Sequence, residues 1–406
     1  MIKVLYIVSS CLTKNTSANM SHNGYVQGLL ENNCDVDIIM ADTSWGESDT
    51  KLPMWDSAHY YIYSSLPFSA KIKAYFKRAE QKYVAEVAGQ VQSGNRKQFS
   101  FRAFAKRLFY TVFPNDPVYP LHKTWLKKAA VFSNVEPYDI VISNSSPEAS
   151  HKLAWTLIKN GRIKCKRWVQ LWEDPWYYDV YGGVDACVFE EERKLLQAAT
   201  EVRYVSPLTL MYQKRHFPDC AEKMSFIPLP ALHYEDVAVK TDDSVSFGYF
   251  GDYYSYTRNL QPFYDALVEC KAKGYIYGDT DLSLERTEHV EVSGRVTLDK
   301  LAKVQAQTDV LVHLCNLRGG QIPGKIYHYS VTDKPILFIL DGTAEEQNMI
   351  KEFFAPYNRY IFCDNTAESI GSAIKALMET RSPQKMKPVE AFAPKQVVKK
   401  LLDDIR

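Results

Sequence analysis

Residues Cys315 to Ile339 read CNLRGGQIPGKIYHYSVTDKPILFI. Gly319, Gly320 and Gly324 lead into a helical stretch that starts near Lys325, and the apolar run after Pro335 has the character of a buried strand. Free N–H groups at a helix start, beside a lysine, form an anion site suited to a diphosphate. An ordinary glycine-rich strand-to-helix turn has the same spacing.

Outward from this segment the alternation continues. TDVLVHLC (308–315) reads as a strand, LDKLAKVQAQ (298–307) as a helix, VSFGYFGDY (245–253) as a strand and NLQPFYDALVECKAKG (259–274) as a helix. Downstream, KPILFILD (334–341) is a strand and TAESIGSAIKALMET (366–380) a helix. A second anion candidate lies in YFGDYYSYTRNL, where a strand ends at Gly251 and Arg258 opens the next helix. Both features sit at strand ends and point into one crevice.

The first half repeats the pattern: KVLYIVSS, SHNGYVQGLLENN and CDVDIIMAD, then PYDIVISN, SPEASHKLAWTLIKN, KRWVQLWED, a helix from about 184 to 199, and EVRYVSP. Strands alternating with helices make parallel sheets covered on both faces. The expected fold is therefore α/β, two Rossmann-like domains facing a central cleft. The first domain spans 1–235, the second 241–385, and the segment 386–406 is a terminal helix. The linker is IPLPALHYEDVAVKTDD (227–243), where prolines and acids break the periodicity.

Composition narrows the function. The 406 residues suit two or three domains. With 49 Lys+Arg against 48 Asp+Glu, a net charge of +1 excludes a polyelectrolyte partner for nucleic acid. Eight scattered cysteines without a C-x-x-C pair read as reduced thiols. The first residues, MIKVLYIVSS, lead into a strand and not a signal peptide, and no run reaches the ~18 apolar residues of a membrane span. A cytoplasmic protein is expected. The aromatic content of 13% hints at stacking surfaces for sugars or bases.

Between Ser69 and Lys128, 13 Lys/Arg face three acids with Phe and Tyr interleaved. This insertion, near 65–130, has the pattern of an interfacial helix on anionic lipid, or of a segment packed on its domain by its aromatic side. Motifs of other enzyme classes are missing: the first strand lacks G-x-G-x-x-G, and neither a P-loop, H-E-x-x-H nor G-x-S-x-G occurs. No metal and no cofactor is implied.

In QLWEDPWYYDV, Trp172, Glu173 and Asp174 form an aromatic and carboxylate set suited to sugar faces and hydroxyls. The tryptophans serve equally as inter-domain core and Asp174 as a helix cap. Asn144, Ser145 and Ser146 end the preceding strand and are placed for acceptor hydroxyls, whereas His151 reads as a helix-surface residue. Ser17, Ala18 and Asn19 occupy the first strand-to-helix loop.

The second half resembles the nucleotide-sugar-binding domain of GT-B glycosyltransferases, particularly the bacterial family-4 retaining enzymes that build surface polysaccharides. YFGDYYSYTRNLQPFYDAL is similar to that family's opening strand, glycine turn and arginine-bearing helix, and IPGKIYHYSVTDKPIL to its P-x-K-x-[YF]-E-Y segment ending in K-P-[IL]-[IL]. YDIVISNSSPEASHKLA, WVQLWEDPWYYDVYGG and EVRYVSPLTLMYQKRHF resemble the acceptor domain, and the helix after FAPKQ resembles one that crosses back to it. The likeness covers most of the chain except about 50–130.

The resemblance implies that Arg258 and Lys325 neutralise the donor diphosphate as the catalytic pair. Gly251, Gly324, His328 and Ser17 would contact the donor, and Asp174, Trp172 and Ser145 the acceptor. The family's ribose-binding glutamate falls on His328 and its partner carboxylate on Gly320, so neither acid is present. The implied activity is transfer of a sugar, with retention and without a metal, from a nucleotide diphosphate sugar to a saccharide. The acceptor would be lipid-linked, at the inner membrane face, in surface polysaccharide synthesis. A non-catalytic nucleotide-sugar-binding subunit and a nucleotide-sugar epimerase are the alternatives.

Overall fold

A computed structural model describes residues 1–43, 48–49, 52–65, 118–119, 121–179, 186–232, 244–318, 320–380 and 385–403. Residues 66–117 and 120 of the basic aromatic insertion lie outside the described residues, as do residues 233–243 of the linker.

The strands of the first domain are β1 (Lys3–Val8), β2 (Asp35–Ala41), β3 (Ala58–Tyr63), β4 (Tyr138–Asn144), β5 (Cys165–Trp172), β6 (Glu201–Tyr204) and β7 (Met224–Phe226). They lie in the order β3-β2-β1-β4-β5-β6-β7, every neighbouring pair parallel. The second sheet orders β8 (Ser246–Phe250), β9 (Lys273–Tyr277), β10 (Val290–Ser293), β11 (Val310–Leu314), β12 (Ile336–Leu340) and β13 (Tyr360–Asp364) as β10-β9-β8-β11-β12-β13, again all parallel. In each sheet the order reverses between the first strand and the fourth, at β1/β4 and β8/β11. A crevice opens at such a switch, beyond the carboxyl ends of the strands.

The first domain carries helices α1 (Ser17–Glu31), α2 (Lys123–Ala129), α3 (Ala149–Lys159), α4 (Ala186–Ala198) and α5 (Pro207–His216). The second carries α6 (Gln261–Glu269), α7 (Leu298–Gln307), α8 (Lys325–Ser330), α9 (Ala344–Phe354) and α10 (Ala367–Glu379). Helix α1 begins earlier than its apolar spacing suggests. Thr16 caps it by accepting from the Asn19 amide at 3.1 Å, so Ser17, Ala18 and Asn19 form the first turn and not a loop.

The last helix, α11 (Pro394–Asp403), packs on α1 of the first domain. Val397, Val398, Leu401 and Leu402 bury its apolar stripe. Gly28 permits the approach, because a Cβ there would lie 2.3 Å from the Pro394 carbonyl oxygen. Beside this contact Ala231 N donates to Phe392 O at 2.9 Å, joining the segment that leaves the first domain to the one that returns.

Among the described residues, large aromatic side chains serve the core. Tyr6, Tyr25, Tyr138, Tyr204, Tyr253, Tyr327, Trp125 and Trp172 are fully buried. Among the described residues, no helix is long and apolar enough to cross a membrane.

Candidate active site

Between the domains lies a cavity of about 500 Å³, walled by strand-end loops from both sheets. Ser17 and Ala18 of α1, Ser146 after β4 and Glu173 and Asp174 after β5 form one wall. The other holds Gly251 and Asp252 after β8, Arg258, Arg295, Asn316 after β11, and the segment Gln321–Lys325 with His328.

Arg258 lies three residues before α6, in the loop and not on the helix as its spacing suggests. Its Nε donates to Asn316 Oδ1 at 2.7 Å and its Nη1 to the Asp252 carbonyl at 2.9 Å. Both acceptors are neutral, so they aim the guanidinium without cancelling its charge. Arg295 differs: it forms ion pairs with Asp252 and, at 3.7 Å, with Asp279. The Lys325 ammonium, partly exposed to the cavity, is pulled down to about 8 by burial, helped by the positive fields of Arg295 and Arg258 and opposed by Asp252. Arg295 is therefore spent on carboxylates, whereas Arg258 and Lys325 keep their charge for a ligand.

Helix α8 spans only six residues. The anion-binding capacity expected of a helix start rests here on Lys325 and Arg258, not on a helix dipole. Gly324 caps it, and a Cβ there would press Leu229 Cδ1 at 2.9 Å. A Cβ at Gly251 would meet the Lys325 stem at an ordinary 3.7 Å, so the protein's own packing does not demand glycine at that position. Gly278, after β9, has a structural reason: its Cβ would fall 1.9 Å from the Gly251 carbonyl oxygen, where the two loops touch.

Gly320 stands at φ +71°, and a Cβ would meet the Tyr212 ring at 2.8 Å. Its carbonyl accepts from Ser206 Oγ at 2.6 Å and Thr209 Oγ1 at 3.3 Å, both at the start of α5. The position has neither the backbone nor the space for a carboxylate. His328 reaches the cavity, its Nδ1 3.5 Å from the Leu232 carbonyl. Burial holds its imidazole down to about 4, so it is neutral at ordinary pH.

Of the residues expected at the site, Arg258, Lys325, Gly251, Gly324, His328, Ser17 and Asp174 line the cavity. Trp172 and Ser145 do not. The Trp172 ring is fully buried against His151 and Tyr204, and its Nε1 donates to Gln170 Oε1 at 2.9 Å. Being the last residue of β5, it turns inward, whereas Glu173 and Asp174 follow at the rim. Ser145 is buried with its amide donating to Leu171 O at 3.0 Å, and Ser146 takes the wall instead. Asn144 spends its amide on Tyr6 Oη at 2.8 Å. His151 is no surface residue: it is fully buried, 2.8 Å from Ser143 Oγ, and burial drops it to about 3.

Sequence reading missed Gln321 and Asn316. Gln321 Nε2 donates to Asp174 Oδ1 at 2.5 Å and to Asp179 Oδ1 at 3.3 Å, bridging the domains. Asn316 orients Arg258 and also donates to the Gln321 carbonyl at 3.2 Å. Both flank the glycine turn of the segment that decides the fold, and polar amides there were the available signal.

No family model and no curated protein matches the chain. Solved structures do. A glycosyltransferase from Rickettsia africae ESF-5 is similar at a TM-score of 0.55 and 10% identity, covering 100% of this chain and 97% of that one. AviGT4, a glycosyltransferase involved in avilamycin A biosynthesis, is similar at 0.52 and 9%, covering 100% and 97%. A protein assigned as a UDP-N-acetylglucosamine 2-epimerase from Listeria monocytogenes is similar at 0.50 and 10%, covering 100% and 95%. At these identities the likeness establishes the fold: two facing Rossmann-like domains of the GT-B type.

Proposed function

We propose that the protein is a glycosyltransferase that moves a sugar from a nucleotide diphosphate sugar to a saccharide acceptor. The observation that supports this reading is Arg258, aimed by two neutral acceptors at an inter-domain cavity that also holds Lys325. A departing diphosphate gains negative charge as the bond to the anomeric carbon breaks, and fixed cations stabilise that charge without a metal. Hydroxyls of the acceptor face Ser146, Glu173 and Asp174 on the opposite wall.

Finer features follow the family resemblance. These are retention of configuration, a lipid-linked acceptor, a role in surface polysaccharide synthesis and a peripheral position at the inner membrane face. A thermal-shift panel of UDP, GDP, ADP and CMP tests the donor site, since a bound nucleotide raises the melting temperature by mass action. Absence of stabilisation by all four rejects the reading.

A second reading draws on Glu173 and Asp174. An epimerase needs acids at the cleft to move protons or assist elimination, and these two carboxylates line it. Conversion of a labelled UDP-sugar into its epimer with no acceptor present would establish that reading. A third, the binding subunit, draws on Gly320 and His328, and nucleotide binding without turnover would favour it.

A further inference from the structure

A second, smaller cavity of about 160 Å³ opens on the first domain beside the cleft. Pro175 and Tyr178, which follow β5, form one side, and Thr209, Tyr212, Gln213 and His216 of α5 form the other. The two cavities adjoin, because Asp174 lines the larger one and its neighbour Pro175 the smaller. Thr209 also touches the second domain, its Oγ1 donating to the Gly320 carbonyl at 3.3 Å.

Three rings line this smaller cavity. Tyr178 stacks on His216 with centroids 3.6 Å apart and planes 11° from parallel, and the tyrosine keeps 41% of its surface exposed. Tyr212 shares one face of α5 with His216, a single helical turn before it. Burial, with the Arg215 charge beside it, lowers the His216 imidazole below its usual range, so this ring is neutral at pH 7. No side chain of the lining then carries a charge.

Gln213 is buried, with 1% of its surface exposed. Its Nε2 donates to Glu192 Oε1 of α4 at 3.3 Å, and its Oε1 has no hydrogen-bond partner among the described residues. A buried amide oxygen without a donor costs free energy, and a ligand that brings an O–H group to it recovers that cost.

A phosphate or a nucleotide would need cations, which this lining lacks, and the volume is about a third of the larger cavity's. Aromatic faces beside a lone acceptor suit a neutral ring that has one apolar face and donates from its edge, which describes a sugar. We propose that the smaller cavity is a saccharide subsite, in which a pyranose ring packs on Tyr178 and a hydroxyl donates to Gln213 Oε1.

The inference rests on the glycosyltransferase reading and adds the size of the acceptor. The reacting sugar occupies the larger cavity beside Ser146 and Asp174, and the next sugar of the same chain occupies the smaller one. The acceptor is therefore at least a disaccharide.

The test uses the full chain with saturation-transfer NMR titrations of glucose, galactose, mannose and N-acetylglucosamine, and of cellobiose, maltose, lactose, mannobiose and N,N′-diacetylchitobiose, with and without UDP. Melting shifts with UDP, GDP and ADP report folding and donor binding in each variant, and neither Tyr178 nor Gln213 lines the donor cavity. At least one disaccharide should bind the parent about fivefold or more tightly than its component monosaccharides, the worth of one added hydrogen bond. Tyr178→Ala and Gln213→Leu should each abolish that advantage, and Tyr178→Phe should keep it. Tyr178 is exposed, so its two variants probe the subsite without disturbing the core. A parent that binds no disaccharide of the set, or binds none more tightly than its monosaccharides, overturns the proposal, and so does an advantage that survives Tyr178→Ala. Each of these leaves the transferase reading intact while nucleotides still raise the melting temperature. A parent that no nucleotide stabilises overturns the transferase reading, and disaccharide binding that depends on Tyr178 and Gln213 then supports the subsite without its acceptor role.

Discussion

Gln321 Nε2 and Asp174 Oδ1, one from each domain, are 2.5 Å apart and tie the two walls of the cleft together. Burial, then the Asp179 and Glu173 carboxylates, raise Asp174 from 3.8 to about 7. Because the folded value lies above the unfolded one, this proton stabilises the fold below about pH 4, and that contribution is lost as pH rises through 7. Asp174→Asn keeps an acceptor for Gln321 and cannot ionise. Its melting temperature relative to the parent should therefore climb between pH 5 and pH 8. Glu148 and Glu192, both raised to about 7 mainly by burial, titrate in both proteins. The difference thus reports Asp174 together with the carboxylates coupled to it, and a flat difference would refute the assignment.

Arg258→Ala and Lys325→Ala should each weaken nucleoside diphosphate binding by roughly 1.5 to 3 kcal/mol, the range of a hydrogen bond to a charged group. Calorimetric titration measures this, and unchanged affinity in both variants removes the diphosphate assignment.

The lysine has a pH signature of its own. With its ammonium near 8, affinity for a diphosphate should fall as pH rises from 7 to 9, because the cation is lost. The Lys325→Ala protein should show a shallower decline over that interval. Equal slopes in parent and variant would mean that Lys325 does not meet the ligand.

At Gly28, a single methyl group would collide with the Pro394 carbonyl at 2.3 Å and Val398 Cγ2 at 2.5 Å. Gly28→Ala should lower stability by about 1 to 3 kcal/mol through overpacking, even though alanine is favoured by up to ~1 kcal/mol in a helix interior. Urea titration reads the midpoint. A variant as stable as the parent would show that α11 does not press on α1.

Arg359 is buried, and its guanidinium donates to the carbonyls of Tyr329, Ser330, Thr332, Lys334 and Lys387. It gathers the end of α8, the helix that carries Lys325 and His328. Arg359→Met leaves those carbonyls without that donor and should cost about 3 kcal/mol or more, given 1.5 to 3 for each charged hydrogen bond. Nucleotide affinity should fall with it. A melting temperature equal to the parent's would contradict this.

Much of the architecture was legible because buried parallel strands are continuous apolar runs, as in KVLYIVSS and PYDIVISN. The strands missed are short or half-buried: Ala58–Tyr63 and Tyr360–Asp364 are only partly covered, Met224–Phe226 has three residues and Val290–Ser293 four, and Lys273–Tyr277 begins with lysine and glycine. Helix α9 escaped its apolar pattern, although Thr343 and Glu346 form a capping box that spells its start. At the site, charged residues announced themselves, while Asn316 and Gln321 act only through partners distant in sequence. Trp172 misled because its neighbours Glu173 and Asp174 face the cavity, and one residue of register separates rim from core. The vacancy at Gly320 makes sense once the Tyr212 ring is seen beside it.

The adjoining segments at Ala231 and Phe392 also set how the halves can move. Two crossings tied side by side behave like one narrow strap: they let the jaws swing apart but resist one jaw turning about the other. Shearing off the last helix would leave a single thread there, and the jaws would gain a twist that the intact chain forbids.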